Sequence, residues 1–125
     1  MTAWKDEELA DLGGADELRI APMGRDDTLQ ASRIIWVVRH GDDIFVRSVN
    51  GPDGAWFRGV QAMHAGHVSA GGVDADVVFE DAEHSLDDKI DEEYRRKYGR
   101  SSSAVDHITS PEARSTTLRL MRNGN

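Results

Sequence analysis

One stretch constrains the fold of this chain more than any other. It runs from Leu29 to His40, with the apolar centre Ile34-Ile35-Trp36-Val37-Val38, and is followed by Gly41-Asp42-Asp43 and then Ile44-Phe45-Val46-Arg47-Ser48. An unbroken run of β-branched and aromatic residues predicts a strand covered on both faces. Glycine and aspartate directly after it predict a tight turn, so the second run returns antiparallel as a hairpin. With Gly41 and Asp42 as the turn, Trp36 faces Arg47; a three-residue turn moves that partner to Ser48. Arg33 and Arg39 bracket the first run and fall on one face, about 20 Å apart at ~3.3 Å per residue.

Other segments are short. Trp4 to Leu12 predicts an amphipathic helix with its acids in the first turns, ended by Gly13-Gly14, within an N-terminal helical segment 1–16. Glu17 to Pro22 predicts a strand, and Pro22, Gly24 and Asp26-Asp27 a polar loop. Asn50-Gly51-Pro52-Asp53-Gly54 is the densest turn cluster, and Val60 to Ala65 reads as one or two helical turns ending at Gly66. His67–Gly72 and Ala75–Asp81 form a second strand pair. Ser85 to Gly99 predicts a helix, with Ser85 as its cap and Leu86, Ile90, Tyr94 and Tyr98 near one stripe. Asp87, Asp88, Asp91, Glu92 and Glu93 lead it and Arg95, Arg96 and Lys97 close it, which matches the helix dipole at both ends. Ser101-Ser102-Ser103 reads as polar and mobile, and Ser110-Pro111 opens a turn before a last strand within 115–122. About six short strands, mostly hairpin-connected, with helices at the rims, predict an α+β fold: a small antiparallel barrel or strongly curled sheet. Regular strand–helix alternation is missing, which disfavours a parallel doubly wound sheet.

With 125 residues the chain is expected to form a single domain, 1–125. Fifteen Lys and Arg against 23 Asp and Glu give a net charge of −8. That sign argues against a duplex nucleic acid partner, which needs a concentrated cationic face. No apolar run reaches the roughly 18–20 residues of a membrane helix, and the acidic start Trp4-Lys5-Asp6-Glu7-Glu8 does not read as a secretory signal. A cytoplasmic protein is the expectation. The absence of cysteine removes disulfides, thiolate metal sites and a thiol nucleophile.

The segment Phe45 to Arg58 carries the first candidate site. A strand delivers Arg47 and Ser48 into a glycine loop with Asn50 and Gly51, and Trp56, Phe57 and Arg58 follow at once. Glycine amides, a hydroxyl and guanidinium groups suit an anion, and an aromatic can cover a ring system. The plainer reading is a hairpin loop with surface arginines and a Trp-Phe core plug. Arg33, Arg39, Arg47 and Arg58 would converge near this hairpin as an anion pocket, or pair with the many carboxylates. His64 and His67 are three apart, but Gly66 interrupts any helix that would align them, so no metal site is expected. The tract from Asp74 to Glu93 holds ten carboxylates against Lys89 and reads as a solvated face. Tyr94, Lys97 and Tyr98 are neighbours at i, i+3 and i+4: either a tyrosine–lysine site or tyrosines packed under an aliphatic lysine stem.

The run Ile35 to Ser48, with Gly51…Trp56-Phe57-Arg58, Ala70-Gly71-Gly72-Val73, Asp76-Val77-Val78-Phe79, Tyr94 to Gly99 and Thr116 to Leu120, resembles an uncharacterised bacterial domain-of-unknown-function family over nearly the whole chain. More distantly, the order of pieces is similar to the split β-barrel flavin-binding superfamily, especially its deazaflavin (F420)-dependent nitroreductase branch. Gly24-Arg25-Asp26-Asp27-Thr28 through Arg33 matches the segment leading into that superfamily's second strand, and Ser48 through Gly54 with Ala55-Trp56-Phe57 matches its later loop and helix start. Asp26-Asp27 depart from the basic and serine residues of the reductases, and Ala55 departs from their proline context. The resemblance implies a split barrel, FMN or F420 as cofactor, oxidoreductase chemistry on a small molecule, and a homodimer. It implies that Arg33 and Arg47 neutralise the ligand's phosphate or carboxylates, that Ser48 and the amides near Asn50 and Gly51 donate hydrogen bonds, that Trp56 flanks the ring and that Arg58 closes the rim. The alternatives are a non-enzymatic module with a degenerate cofactor site, binding a small molecule or a protein, and a metal-assisted enzyme using His64 and His67.

Overall fold

A computed structural model describes residues 3–100 and 102–123. It contains helices α1 (Asp6–Gly14), α2 (Ala55–Met63), α3 (Asp87–Tyr98), α4 (Ser103–Ile108) and α5 (Pro111–Arg114). The strands are β1 (Leu18–Pro22), β2 (Arg33–Ile35), β3 (Val38–His40), β4 (Asp43–Val46), β5 (Ala65–Ala70), β6 (Val73–Asp81) and β7 (Leu118–Arg122). All pairings are antiparallel, in the order β2-β1-β5-β6-β7-β4-β3.

The two outermost strands, β2 and β3, are separated in sequence by Trp36 and Val37 alone. A sheet whose opposite edges belong to one extended segment must curl until those edges nearly meet, because two intervening residues span at most roughly 11 Å. The result is an antiparallel split barrel. The expected continuous strand Leu29–His40 is therefore two strands at opposite edges. Val37 explains the break: its N–H donates to the Tyr98 hydroxyl at 3.2 Å and its carbonyl accepts from Lys97 Nζ at 2.6 Å. Both groups, which a strand would spend on its ladder, are met by side chains of α3. Arg33 and Arg39 accordingly share no face, and Ile34 is 53% exposed, against the expectation of cover on both sides.

The hairpin turn has two residues, since His40 pairs with Asp43 across Gly41-Asp42. That register would put Trp36 opposite Arg47, but the ladder ends at Val38–Phe45. Strand β4 is buried on both faces. Ile44 and Val46 enter the core inside the barrel with Leu18, Ile20, Val68, Val77 and Leu120. Phe45 and Val38 face outward, beneath Ile90 and Tyr94 of α3 and Ile108 of α4. Leu9 and Leu12 of α1 and Trp56 and Val60 of α2 complete the inner core, and the Trp4 indole N–H donates to the Leu120 carbonyl at 2.9 Å. Each fully buried Leu, Ile or Val stabilises the fold by about 1.5–3 kcal/mol before entropy is charged against it.

Several local expectations shift. Helix α1 starts at Asp6 and runs through Gly13-Gly14, with the Glu8 carboxylate accepting from the Lys5 N–H at 2.9 Å. Helix α2 begins at Ala55, before the expected Val60. Ser85 does not cap α3; it sits in a 3₁₀ turn, His84–Leu86. Of the serine run, Ser101 lies outside the described residues, while the Ser102 hydroxyl caps α4 by accepting from Ala104 and Val105. Ser110 caps α5 in the same way through the Ala113 N–H.

On the β5–β6 hairpin, His67 Nδ1 lies 2.9 Å from an Asp76 carboxylate oxygen and Nε2 is paired with Asp74. Carboxylates facing a ring through both nitrogens favour its doubly protonated form. The hydrogen bond to Asp76 raises its pKa most, and the bond to Asp74 adds to this, against partial burial that lowers it. A raised folded pKa means this contribution is complete below the ordinary histidine value of about 6.5 and is lost as pH rises through the folded value. In urea melts from pH 5.5 to 8.5, His67→Gln is expected to flatten that decline; an unchanged slope would show that the carboxylates do not hold the proton.

Candidate functional site

Three adjoining cavities of about 240, 370 and 120 Å³ open beside β2 and the start of α2, and Trp56 lines all three. Trp56 is held there by helix position. It is the second residue of α2, buried to 9% exposure, with Phe57 edge-on at 6.1 Å between ring centres. Gly54, just before the helix, leaves room for the Ser48 hydroxyl: a Cβ at position 54 would lie 2.2 Å from Ser48 Oγ.

The cavities differ in chemistry. The largest is walled by Arg33, Ile34 and Ile35 on one side and by Ser48, Val49, Asn50, Gly54 and Ala55 on the other. The 240 Å³ cavity is mainly apolar, lined by Trp36, Trp56, Val49 and Ile108, with Arg47 also in its lining. The smallest brings Gln30 and Ala31 against Arg33 and Trp56. The arrangement is a cleft with a polar, cationic end and an apolar, aromatic end, within the size range of small-molecule sites.

Arg33 and Arg47 have different fates. Arg33 is exposed, and no carboxylate lies within ion-pair distance of it among the described residues. Arg47 is 1% exposed and fully engaged by the protein. Its Nε donates to Thr117 Oγ1 at 2.8 Å, Nη1 pairs with Asp91 and donates to the Ile108 carbonyl at 3.2 Å, and Nη2 donates to the Asp87 carbonyl at 3.1 Å. The Tyr94 ring lies 5.5 Å from its guanidinium carbon. Arg47 therefore ties the end of β4 to α3 and α4, and its charge beside the apolar cavity is neutralised by Asp91.

The remaining expected residues divide. Ser48, Asn50 and Trp56 stand together with Arg33. Gly51 stands behind the loop: its N–H is spent on the Ser48 carbonyl at 3.0 Å, and its α-carbon packs against Glu112. Arg58 points from the exposed side of α2 and lines none of these cavities. Arg39 lies in the middle of β3, on the sheet edge opposite β2, donating to the Gly41 carbonyl at 2.8 Å. The four arginines do not converge, because the expected strand divides. Asp26 and Asp27 are exposed in a turn outside the cleft. The Asp26 carboxylate accepts from the Thr28 hydroxyl and N–H, and that pair of bonds lowers its pKa.

Sequence reading did not find Ile34, Ile35, Trp36, Val49 and Ile108 as cleft walls, nor Gln30. Ile34 and Val49 carried a signal: each is an apolar residue left on the surface, at 53% and 48% exposure, beside the glycine loop. His64 ends α2 in the left-handed conformation (φ 52°), and His67 is taken by its two aspartates. Among the described residues, no three His, Asp or Glu side chains group as a metal site, and no helix is long and apolar enough to cross a membrane.

Comparison with known proteins gives a family and a fold. The family described as "Uncharacterized protein conserved in bacteria (DUF2255)" matches residues 8–120. No curated protein matches the chain. Its structure is similar to one described as an F420 reductase, with 13% identity and a TM-score of 0.57, covering 93% of this chain and 92% of that one. It is also similar to an FAD and heme binding protein from Mycobacterium smegmatis, with 15% identity and a TM-score of 0.53, covering 96% of this chain and 67% of the other. At such identities the likeness speaks for the split-barrel fold.

Proposed function

We propose that this chain, which belongs to the DUF2255 family of uncharacterised bacterial proteins, binds a flavin or deazaflavin such as FMN or F420 in the cleft around Trp56 and serves as an oxidoreductase on a small molecule. The observation that carries the reading is the polarity of that cleft: at one end a guanidinium, Arg33, with no ion-pair partner among the described residues, at the other the apolar cavity walled by the Trp36 indole, and Trp56 common to both. A ligand with an anionic tail and a planar ring system has the same polarity. Arg33 would meet the phosphate or carboxylates, while the Ser48 hydroxyl and the Asn50 amide would bond the polar chain. Trp56 would lie along the ring. The bound group would supply hydride or electron transfer, and the protein binding, orientation and exclusion of water.

The fit holds on the donors present. Arg33 has donors to spare, and the buried Arg47–Asp91 pair leaves no uncompensated charge facing the apolar end. The Asp26-Asp27 pair stands outside the cleft, so its charge does not oppose an anion there. A homodimer belongs to the same proposal: exposed Ile34 and Val49 at the cleft mouth give a second copy an apolar face to cover.

Anaerobic fluorescence titration of the purified chain with FMN and with F420 tests the reading. Saturable binding of one of them in the micromolar range is the expected result. No saturation of either at tens of micromolar would overturn it. Light scattering behind a sizing column reads the dimer separately, with a mass of one chain counting against it.

A further inference from the structure

A second cavity, of about 250 Å³, lies on the other side of the segment that joins the barrel's edges, between α1, β3 and α3. In a protein of net charge −8 its polar wall is cationic: Arg39, Arg96 and Lys97 against the single carboxylate of Glu93. That carboxylate is already engaged, with His40 Nδ1 at 2.8 Å and Arg96 paired to its other oxygen. Leu9, Ala10 and Val38 make the opposite wall.

Lys97 is the unusual group here. Its ammonium donates to the Val37 carbonyl at 2.6 Å and lies 5.2 Å from the centre of the Tyr98 ring. Among the described residues no carboxylate lies within ion-pair distance of it. Partial burial holds its pKa below the usual lysine value. The Asp16 carboxylate offsets this only from beyond ion-pair distance, so a half-buried cation keeps two N–H donors beyond the one spent on Val37 for an anion that can meet it directly. Arg39 spends its Nε on the Gly41 carbonyl at 2.8 Å, but its ionic partner Asp42 is 3.9 Å away and 91% exposed, which leaves the two terminal nitrogens with donors to spare. Gly13 of α1 lets the Arg39 stem lie against the helix backbone, since a Cβ there would come within 3.1 Å of Arg39 Cβ. The missing side chain thus lets the Arg39 stem form part of the cavity wall.

We propose that this cavity is a binding site for a small organic carboxylate with a short hydrocarbon body. The carboxylate would bridge Lys97 and Arg39, whose planar fork suits it, and the hydrocarbon would lie on Ala10 and on the little surface that Leu9 and Val38, each 1% exposed, leave to the cavity. The site is separate from the Trp56 cleft and stands whether or not that cleft takes a flavin. It touches the same joining segment, however, because Lys97 and Tyr98 hold Val37 and the Trp36 ring stacks on Tyr98 at 4.0 Å with a 6° interplanar angle.

An amide NMR titration of the ¹⁵N-labelled chain at constant ionic strength tests it, with hexanoate, acetate and inorganic phosphate as probes. The expected result is saturable shifts at Gly13, Arg39 and Lys97 with hexanoate binding several-fold more tightly than acetate or phosphate. Arg39→Gln and Lys97→Met, the latter keeping the stem over Tyr98, should each weaken hexanoate about tenfold, as loss of a charge-assisted hydrogen bond implies. Three outcomes would overturn the proposal: no saturation by hexanoate, equal or tighter binding of phosphate, or hexanoate affinity unchanged in Arg39→Gln, which removes no contact between the core elements.

Discussion

Asp91→Ala is expected to lower the melting temperature by roughly 10–20 °C, which for a domain of this size corresponds to about 3–5 kcal/mol. The cause is what the substitution leaves behind. Arg47 has no side-chain exposure, and Asp91, itself 7% exposed at the side chain, is its only ionic partner among the described residues. Without that carboxylate a cation stays in the interior with only neutral acceptors: Thr117 Oγ1 and the carbonyls of Ile108 and Asp87. Removing the other partner costs less. In Arg47→Met the Asp91 carboxylate keeps Arg114, whose Nε lies 3.1 Å from its second oxygen and whose side chain still reaches solvent. The double replacement Arg47→Met with Asp91→Leu should regain part of the loss, since an apolar pair of similar volume avoids desolvating two charges. Thermal melts followed by circular dichroism read all three. A melting temperature for Asp91→Ala within 2–3 °C of the parent would show that the pair does not bear on stability, because that is less than the shift one kcal/mol produces.

Neither the buried pair nor its position was legible as such in the sequence, although part of its signal was present. The acidic tract reads as a solvated face because a count of ten carboxylates hides which one turns inward. Asp91 follows Ile90 and stands three before Tyr94, so it flanks the apolar stripe of α3. Arg47, flanked by Val46 and Ser48 at the end of an apolar strand, carried the complementary hint. Only the tertiary arrangement brings them together, across 44 positions of sequence.

The same division runs through the fold. Hairpin pairs read correctly because a turn such as Gly41-Asp42 or Gly71-Gly72 is a local device, fixed by backbone preference. The break at Trp36-Val37 did not, because the groups that satisfy its backbone, the Tyr98 hydroxyl accepting from the Val37 N–H and the Lys97 ammonium donating to the Val37 carbonyl, come from some 60 positions away. A continuous β-branched run gives no local reason to stop pairing on one edge and begin on the other. Misreading that run as one strand then misplaced the arginines: Arg33 and Arg39, on one face in a single strand, stand at opposite edges of the real sheet. Ser48, Asn50 and Trp56 still line one cavity, because they are fixed by the glycine loop and the start of α2 and do not depend on where the strand breaks.

Arg33 and Arg58 give that distinction a functional test. In sequence both are arginines beside the glycine loop; in the structure Arg33 lines two of the three cavities around Trp56, and Arg58 lines none. Arg33→Gln is expected to weaken binding of FMN or F420 by about ten- to hundredfold, the scale of one or two charge-assisted hydrogen bonds to a phosphate or carboxylate. Arg58→Gln should leave the affinity unchanged within about twofold, because an exposed charge at a distance is screened by salt. Stability should separate from binding: Arg33 is exposed and holds no ion pair among the described residues, so Arg33→Gln should melt within about 2 °C of the parent, as surface substitutions do. Fluorescence titrations of both variants beside the parent supply the comparison. Equal affinity in Arg33→Gln and parent would remove the anionic end of the cleft as the source of recognition. Equal losses in both variants would point to a diffuse attraction between cationic surface and ligand, which raising the salt concentration would abolish. A loss confined to Arg33 that persists in 0.5 M salt, where screening extends over only about 4 Å, is the signature of a direct contact.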